Sequence, residues 1–151
     1  MSDPQRQTAE TILHIIPGVM RTIASDLRRQ GIVPVPAHLG ILIALAERPR
    51  SLGELADLQA VSPPTMSSSI HRLVKKGWLH CERDPQDRRR LLIHLTEEGW
   101  AVLSEIRQRA QEAVLERLKA LSPEECAHLI EGLRLLQQLF HAGDSTREGE
   151  G

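Results

Sequence analysis

Three consecutive arginines, Arg88, Arg89 and Arg90, are the residues of this sequence whose chemistry is the most direct to interpret. A guanidinium group presents its N–H donors in one plane and stays charged at physiological pH, so it pairs with phosphates and carboxylates. Between residues 71 and 90 there are seven Lys and Arg residues against three acidic ones, although the whole chain has a net charge of −1. One basic segment in an otherwise acidic chain is typical of a protein that binds nucleic acid.

A run of hydroxyl side chains lies upstream of the arginines, at Thr65, Ser67, Ser68 and Ser69. Ser and Thr are poor residues for an exposed helix interior, because their side chains compete for backbone hydrogen bonds. They suit close contact with phosphates and base edges. We therefore predict DNA contacts for Thr65 and Ser67. For Ser69 the sequence favours neither a DNA contact nor an exposed position without a binding role.

Other chemistries have less support. The sequence contains no nucleophile elbow, zinc-protease or phosphate-loop motif, so we expect neither an enzyme nor a cofactor. None of the seven histidines has a partner at the close spacing typical of metal ligands, so no metal site is predicted. Cys81 and Cys126 fit no disulfide framework and are interpreted as small apolar residues rather than redox sensors.

The sequence also predicts neither a membrane-spanning segment nor a signal peptide. No apolar run approaches the length of a membrane span, and the first residues lack the apolar core of a signal peptide. With the cysteine usage, these observations predict a cytoplasmic protein.

The elements that would position the polar residues begin with a helix over residues 8–29, where apolar residues recur at helical spacing. Pro17 and Gly18 predict a kink or a break within it. A short helix follows over residues 37–47. Two N-cap signals then start further helices, one at Ser51 with Glu54 and one at Ser62 followed by proline.

A hairpin follows, with strands over residues 78–84 and 90–96 around the turn "PQDRR", and with Leu91, Ile93 and Leu95 on one face. Two long helices complete the chain. One is capped by Thr96, and the other starts after Ser122 and carries an apolar stripe wider than one small domain needs. The polar, Gly-rich tail is predicted to be disordered.

Three helices followed by a basic hairpin predict a mainly α (α+β) fold, the winged helix-turn-helix. In this fold the helix that begins near Ser62, the recognition helix, enters the major groove of DNA. The hairpin, the wing, lies along the flanking minor groove, whose negative potential attracts arginine. The three arginines would then lie on the wing.

Residues 62–99, "SPPTMSSSIHRLVKKGWLHCERDPQDRRRLLIHLTEEG", resemble the signature stretch of the MarR family of bacterial transcription regulators, and "LGELA" at 52–56 extends the similarity. The resemblance implies a homodimer on a pseudo-palindromic operator, usually a repressor, controlled by a small-molecule effector or an oxidant. It also implies the domain organisation: an N-terminal dimerisation helix (1–35), a DNA-binding region (36–98), C-terminal dimerisation helices (99–141) and a disordered tail (142–151).

The resemblance marks Arg89 as the arginine that reaches the minor groove and Asp87 as the residue that orients the wing. The full set of predicted DNA-contacting residues is Ser62, Pro64, Thr65, Ser67, Ser68, His71, Arg72, Lys75, Arg88 and Arg89. In the family the effector pocket lies between the dimerisation helices and the DNA-binding region. A broken first helix would place His14, Met20 and Arg21 there, in a pocket suited to an aliphatic or anionic molecule.

One alternative function of another class stays open, a winged helix that binds proteins and not DNA. Exposed aromatic residues would favour that alternative, whereas clustered arginines favour DNA.

Overall fold

The computed structural model describes residues 3–31 and 36–141, which form six helices and one two-stranded antiparallel sheet. The elements in chain order are α1 (Pro4–Arg29), α2 (Pro36–Glu47), α3 (Leu52–Leu58), α4 (Pro63–Lys75), β1 (Leu79–Arg83), β2 (Leu91–Leu95), α5 (Glu97–Leu118) and α6 (Pro123–His141). This order confirms the predicted winged helix-turn-helix, with α4 as recognition helix and β1–β2 as wing. The predicted disordered tail lies outside the described residues.

Helix α1 is a single continuous helix that contains Pro17, so the alternative of a break at Pro17–Gly18 is wrong. An interior proline removes one backbone hydrogen bond, but here the helix continues for several turns on each side of it. The helix also begins one turn earlier than predicted. Asp3 caps it by accepting the backbone N–H of Gln5 at 3.0 Å, with Pro4 in the first turn.

The hydrophobic core lies among α2, α3, α4, the wing and the first half of α5. Each element contributes side chains that are almost fully covered, among them Leu42, Leu55, Leu73, Ile93 and Leu103. Fully burying an aliphatic side chain of this size stabilises the fold by about 1.5–3 kcal/mol. The core therefore fixes the recognition helix and the base of the wing to the same body.

The turn between α3 and α4 has an alanine where a glycine is usual. Ala60 has a φ of +51°, in the left-handed region. Its N–H donates to the carbonyl of Asp57, and the N–H of Val61 donates to that of Ala56. This is a Schellman motif, which satisfies the last carbonyls of α3 and turns the chain toward α4.

The same motif ends α4 at Gly77. Gly77 has a φ of +82° and its N–H donates to the carbonyl of Val74 at 2.9 Å. The N–H of Trp78 donates to the carbonyl of Leu73 at 3.0 Å. The chain passes directly from this motif into β1.

In the wing, Leu79 pairs with Leu95 and Arg83 with Leu91. Leu79, Ile93 and Leu95 are buried, whereas Leu91, on the same face, is 51% exposed because the hairpin extends beyond the core. The expected alternation therefore anchors only the part of the wing that is nearest to the core.

A third segment pairs with the other edge of β2. Arg50 and Ile93 exchange two backbone hydrogen bonds, of 2.8 and 3.3 Å, as an antiparallel bridge. The Arg50 side chain also donates to the carbonyl of Ala44, near the end of α2, at 3.0 Å. This bridge joins two segments that are distant in sequence, and no local pattern predicts it.

Thr96 joins the end of α4 to the start of α5. Its hydroxyl donates to the carbonyl of Gly77 at 2.5 Å and accepts the N–H of Gly99 at 3.1 Å, so the predicted cap is confirmed. The chain packs so closely here that a Cβ on Gly99 would overlap the carbonyl oxygen of Trp78. The N-terminus of α5 is thus fixed to the base of the wing.

The chain divides into two compact units, Met1–Ala113 and Val114–Gly151, with the division inside α5. The predicted domain boundaries at residues 35 and 98 stay a prediction. Among the described helices, none combines the length and the apolar character that a membrane crossing needs.

Candidate nucleic-acid interface

The recognition helix α4 is positioned by its buried face. Met66, Ile70 and Leu73 follow one another at helical spacing and are buried in the core. Because α4 is packed through these three residues, its opposite face points to solvent. The sequence "PPTMSSSIHRLVK" thus gives a helix with one apolar and one polar face.

The structure brings the predicted contact residues of α4 together on this exposed face. Those predicted residues that are exposed on α4 or at its N-cap are Ser62, Pro64, Thr65, Ser67, Ser68, His71, Arg72 and Lys75. Ser69, for which the sequence favoured neither role, is half-buried at the margin of the face. The exposed face therefore offers hydroxyls in its first turns and cations toward its end.

The first turn of α4 has its hydroxyls already oriented. Ser62 caps the helix by accepting the N–H of Thr65 at 3.4 Å, and its own hydroxyl donates to the Thr65 oxygen at 2.9 Å. The Thr65 hydroxyl keeps the capacity for a further hydrogen bond. This end of α4 therefore offers hydroxyl groups that suit a phosphate oxygen or a base edge.

The last turn of α4 is basic, and the electrostatic effect of its charges reaches His38, which is buried. Burial lowers the pKa of His38, and the charges of Lys76 and Arg72 lower it further. The Lys76 ammonium also lies 4.7 Å from the centre of the Trp78 ring, a cation–π contact. Arg72, Lys75 and Lys76 are all exposed, but Lys76 is partly engaged by this contact with its own chain.

The wing loop, residues 84–90, is shaped by two aspartates. Asp84 accepts the N–H of Gln86 at 2.9 Å, and Asp87 accepts the N–H of Arg89 at 3.1 Å. The carbonyl of Asp87 also accepts the N–H of Arg90 at 3.0 Å. Asp87 therefore contacts Arg89 through the backbone and not through the guanidinium, so any orienting effect acts through the shape of the turn.

Arg88 and Arg89 present free guanidinium groups. Both side chains are exposed, and within the described part of the chain neither has an ion-pair partner. The guanidinium of Arg83 donates a hydrogen bond to the carbonyl of Arg88 at 2.8 Å. This hydrogen bond holds the loop against β1. The loop thus fixes its backbone and leaves two charges available for an anion.

Arg90 differs from its two neighbours because it pairs with Glu54 of α3. Glu54 also pairs with Arg48 at 2.9 Å. The helix cap predicted for Glu54 gave no sign of this contact with the wing. Capping patterns are local, and this contact joins residues that are distant in sequence.

The three residues predicted to bind an effector all lie on α1. His14, Met20 and Arg21 are exposed there. Because α1 is continuous, the break that was expected to bring them toward a pocket does not occur. Their assignment stays a prediction.

The cysteines differ in their surroundings. Cys81 lies on β1 and is exposed, and desolvation by the neighbouring residues raises the pKa of its thiol. A raised pKa leaves less of the reactive thiolate, which does not favour a redox sensor. Cys126 on α6 is half-buried.

Comparisons with known proteins agree with this architecture. A MarR family model matches residues 33–90. The uncharacterized HTH-type transcriptional regulator YpoP of Bacillus subtilis is 34% identical over 92 residues, which cover 60% of this chain and 65% of that protein. The chain thus spans just under two thirds of the length of that relative.

Solved structures resemble almost the whole chain. The transcriptional regulator BldR from Sulfolobus solfataricus is 28% identical with a TM-score of 0.68, covering 91% of this chain and 99% of that one. Wild-type MarR from E. coli, in its apo form, is 23% identical with a TM-score of 0.69, covering 90% and 98%, and supports the fold alone. The family model over residues 33–90, the curated relative and the winged helix-turn-helix fold all show that the chain is similar to the MarR family of transcriptional regulators.

Proposed function

We propose that the protein binds double-stranded DNA as a homodimer, on a pseudo-palindromic operator, and acts as a repressor that a small-molecule effector releases. The observation that carries the proposal is the pair of free arginines, Arg88 and Arg89, on a loop whose backbone is fixed. Two unpaired charges held on an ordered turn lower the entropic cost of binding a polyanion.

In the proposed complex, α4 lies in the major groove and the wing along the minor groove. Thr65 and Ser67 contact base edges or phosphates, and Arg72 and Lys75 contact phosphates. Arg89 reaches into the minor groove, where the negative potential is concentrated. The helix would supply most of the sequence discrimination and the wing most of the general affinity.

Two exposed apolar faces support the dimer. On α1, Leu13 is 76% exposed, and Ile15, Val19 and Met20 are also open to solvent. On α6, Leu139 is 74% exposed. Faces of this kind mark protein interfaces, and we assign them to a second copy of the chain.

The effector is proposed to be an aliphatic or anionic small molecule, because the chain has one Phe, two Trp and no Tyr to line an aromatic pocket. Arg21 is the candidate partner for a carboxylate, with His14 and Met20 beside it on α1. An Arg21→Ala variant that keeps the full effector response would remove Arg21 from this role.

The decisive experiment is selection of bound duplexes from randomised DNA with the full chain, together with sedimentation of the free protein. We expect an enriched inverted repeat whose half-sites lie about one helical turn apart, roughly 10–10.5 base pairs. We also expect a dimer at micromolar concentration. A monomer and no enriched sequence would contradict the proposal, and no binding to any duplex at low salt would favour the protein-interaction alternative.

A further inference from the structure

His80, Glu82 and His94 lie together on the face of the wing that is opposite its buried residues. His80 and His94 are direct cross-strand partners, and Glu82 follows His80 by two residues on the same face of β1. Among the described residues these three form a group whose ligand atoms all lie within 4.8 Å of one another. None of the three belongs to the predicted DNA-contacting set.

The geometry within the group is close. The two imidazole rings stack with their centres 4.9 Å apart and their planes at 14°. Nε2 of His80 lies 3.3 Å from one carboxylate oxygen of Glu82, and Nε2 of His94 lies 3.7 Å from the other. Both histidines therefore direct a ring nitrogen toward the same carboxylate.

We propose that His80, Glu82 and His94 bind a divalent transition-metal cation of the zinc class. Imidazole nitrogen and carboxylate oxygen are ligands of Zn²⁺ at about 2.0–2.2 Å, and in a tetrahedral site such ligand atoms lie about 3.3–3.5 Å apart. The observed separations of 3.3 and 3.7 Å from the carboxylate oxygens to Nε2 are close to this spacing. Side-chain rotation would bring the three ligand atoms, which lie within 4.8 Å of one another, onto one cation.

The backbone favours such a site because the ligands come from two strands that are already paired. Cys81 pairs with Ile93 and Glu82 with Leu92, so the relative positions of all three ligands are fixed by the ladder. The entropic cost of assembling the ligands is then limited to side-chain rotamers. All three side chains are partly open to solvent, which gives the cation a route of entry and leaves a fourth position for water.

A bound cation would join the middle of β1 to the middle of β2 on the face that the core does not cover. It would also replace the close approach of two imidazoles and a carboxylate by three metal–ligand bonds. The site does not depend on DNA binding, because it uses no residue of α4 and neither free arginine.

The test is a titration of the full chain, first treated with chelator, with ZnCl₂ followed by calorimetry and with CoCl₂ followed by visible absorption. We expect one site per chain, with a cobalt spectrum of low-symmetry nitrogen and oxygen coordination. Loss of an outer-shell partner weakens metal affinity by about 10–100-fold, so loss of a direct ligand in His94→Gln or Glu82→Gln should weaken it by at least that factor.

The matched control is His128→Gln, which makes the same chemical change at an exposed histidine on α6. This variant should bind both metals as the unaltered chain does. Circular dichroism of all variants verifies that they are folded. No metal binding by the unaltered chain, or binding that survives the double change His80→Gln and His94→Gln, would overturn the proposal.

Discussion

The recognition helix and the wing loop carry similar charges but are held in different ways. Helix α4 rests on three buried side chains, Met66, Ile70 and Leu73. The wing loop rests on backbone hydrogen bonds, on the caps made by Asp84 and Asp87, and on the ion pair of Arg90 with Glu54. Packing in the core fixes the position of the whole helix, whereas each hydrogen bond or ion pair of the loop fixes only the residues that form it.

This difference suggests a division of labour between the two regions. Base recognition needs donors and acceptors placed to within a fraction of an ångström, which a packed helix provides. Attraction to phosphates depends on charge and tolerates more movement. The following predictions separate the two contributions, from the largest expected effect to the smallest.

Truncating the support of the helix should have the largest effect. Leu73→Ala removes a fully buried side chain, and we expect the free energy of unfolding to fall by about 2–5 kcal/mol. Urea unfolding measures it. Val74→Ala is the matched control on the same helix, since Val74 is partly exposed, and it should cost much less. Equal losses in the two variants would show that α4 is not held by its buried face.

Removing a hydroxyl from the face of α4 should affect discrimination between sequences. For Ser67→Ala or Thr65→Ala we expect the difference in binding free energy between operator and scrambled duplex to narrow by roughly 1–3 kcal/mol for a lost base contact. The dependence of affinity on salt should stay nearly the same. Titration of both duplexes at several salt concentrations measures both quantities, and a changed salt slope with intact discrimination would assign these hydroxyls to phosphates only.

Removing a wing charge should act on both duplexes alike. In the proposed dimer Arg89→Ala deletes two charges, so the slope of log affinity against log salt should flatten by about two units. Arg107→Ala, at an exposed position on α5, is the matched control and should keep the slope. Asp87→Ala should give a partial loss, because it frees the turn without removing an arginine. A full slope in Arg89→Ala would mean that the wing does not contact DNA.

The smallest effect concerns pH, through His38. Burial and the nearby cations lower the pKa of His38 in the folded chain below its ordinary value of about 6.5. The unfolded chain then binds more protons below pH 6.5, so this contribution to stability is present above that pH and is lost as the pH falls toward the folded pKa. Urea unfolding at several pH values should show a steeper loss in the unaltered chain than in His38→Gln. Identical pH profiles would contradict the assignment.

Most of the fold could be predicted because its signals are local. The caps at Ser51, Ser62 and Thr96 each depend on a few neighbouring residues, and each is confirmed. The break at Pro17 was wrong because a local rule ignores the intact turns on either side.

The features that were missed depend on residues far apart in sequence. The bridge of Arg50 with Ile93 and the contact of Arg90 with Glu54 need the tertiary fold. The pairing of His80 with His94 was within reach, since it follows from the register of the predicted hairpin. Spacing along one segment does not reveal this group, because its ligands come from two paired strands.

The hydroxyl of Thr96 restricts movement between the end of the recognition helix and the start of α5. This hydroxyl donates to the carbonyl of Gly77, which follows the recognition helix. Its oxygen accepts a hydrogen bond from the N–H of Gly99, in the first turn of α5. Rotation of one helix end against the other would strain these bonds, each of which contributes about 0.5–1.5 kcal/mol. A shift in the first turn of α5 would therefore be opposed at the end of the recognition helix, and this hydroxyl is one of the contacts that would pass it on.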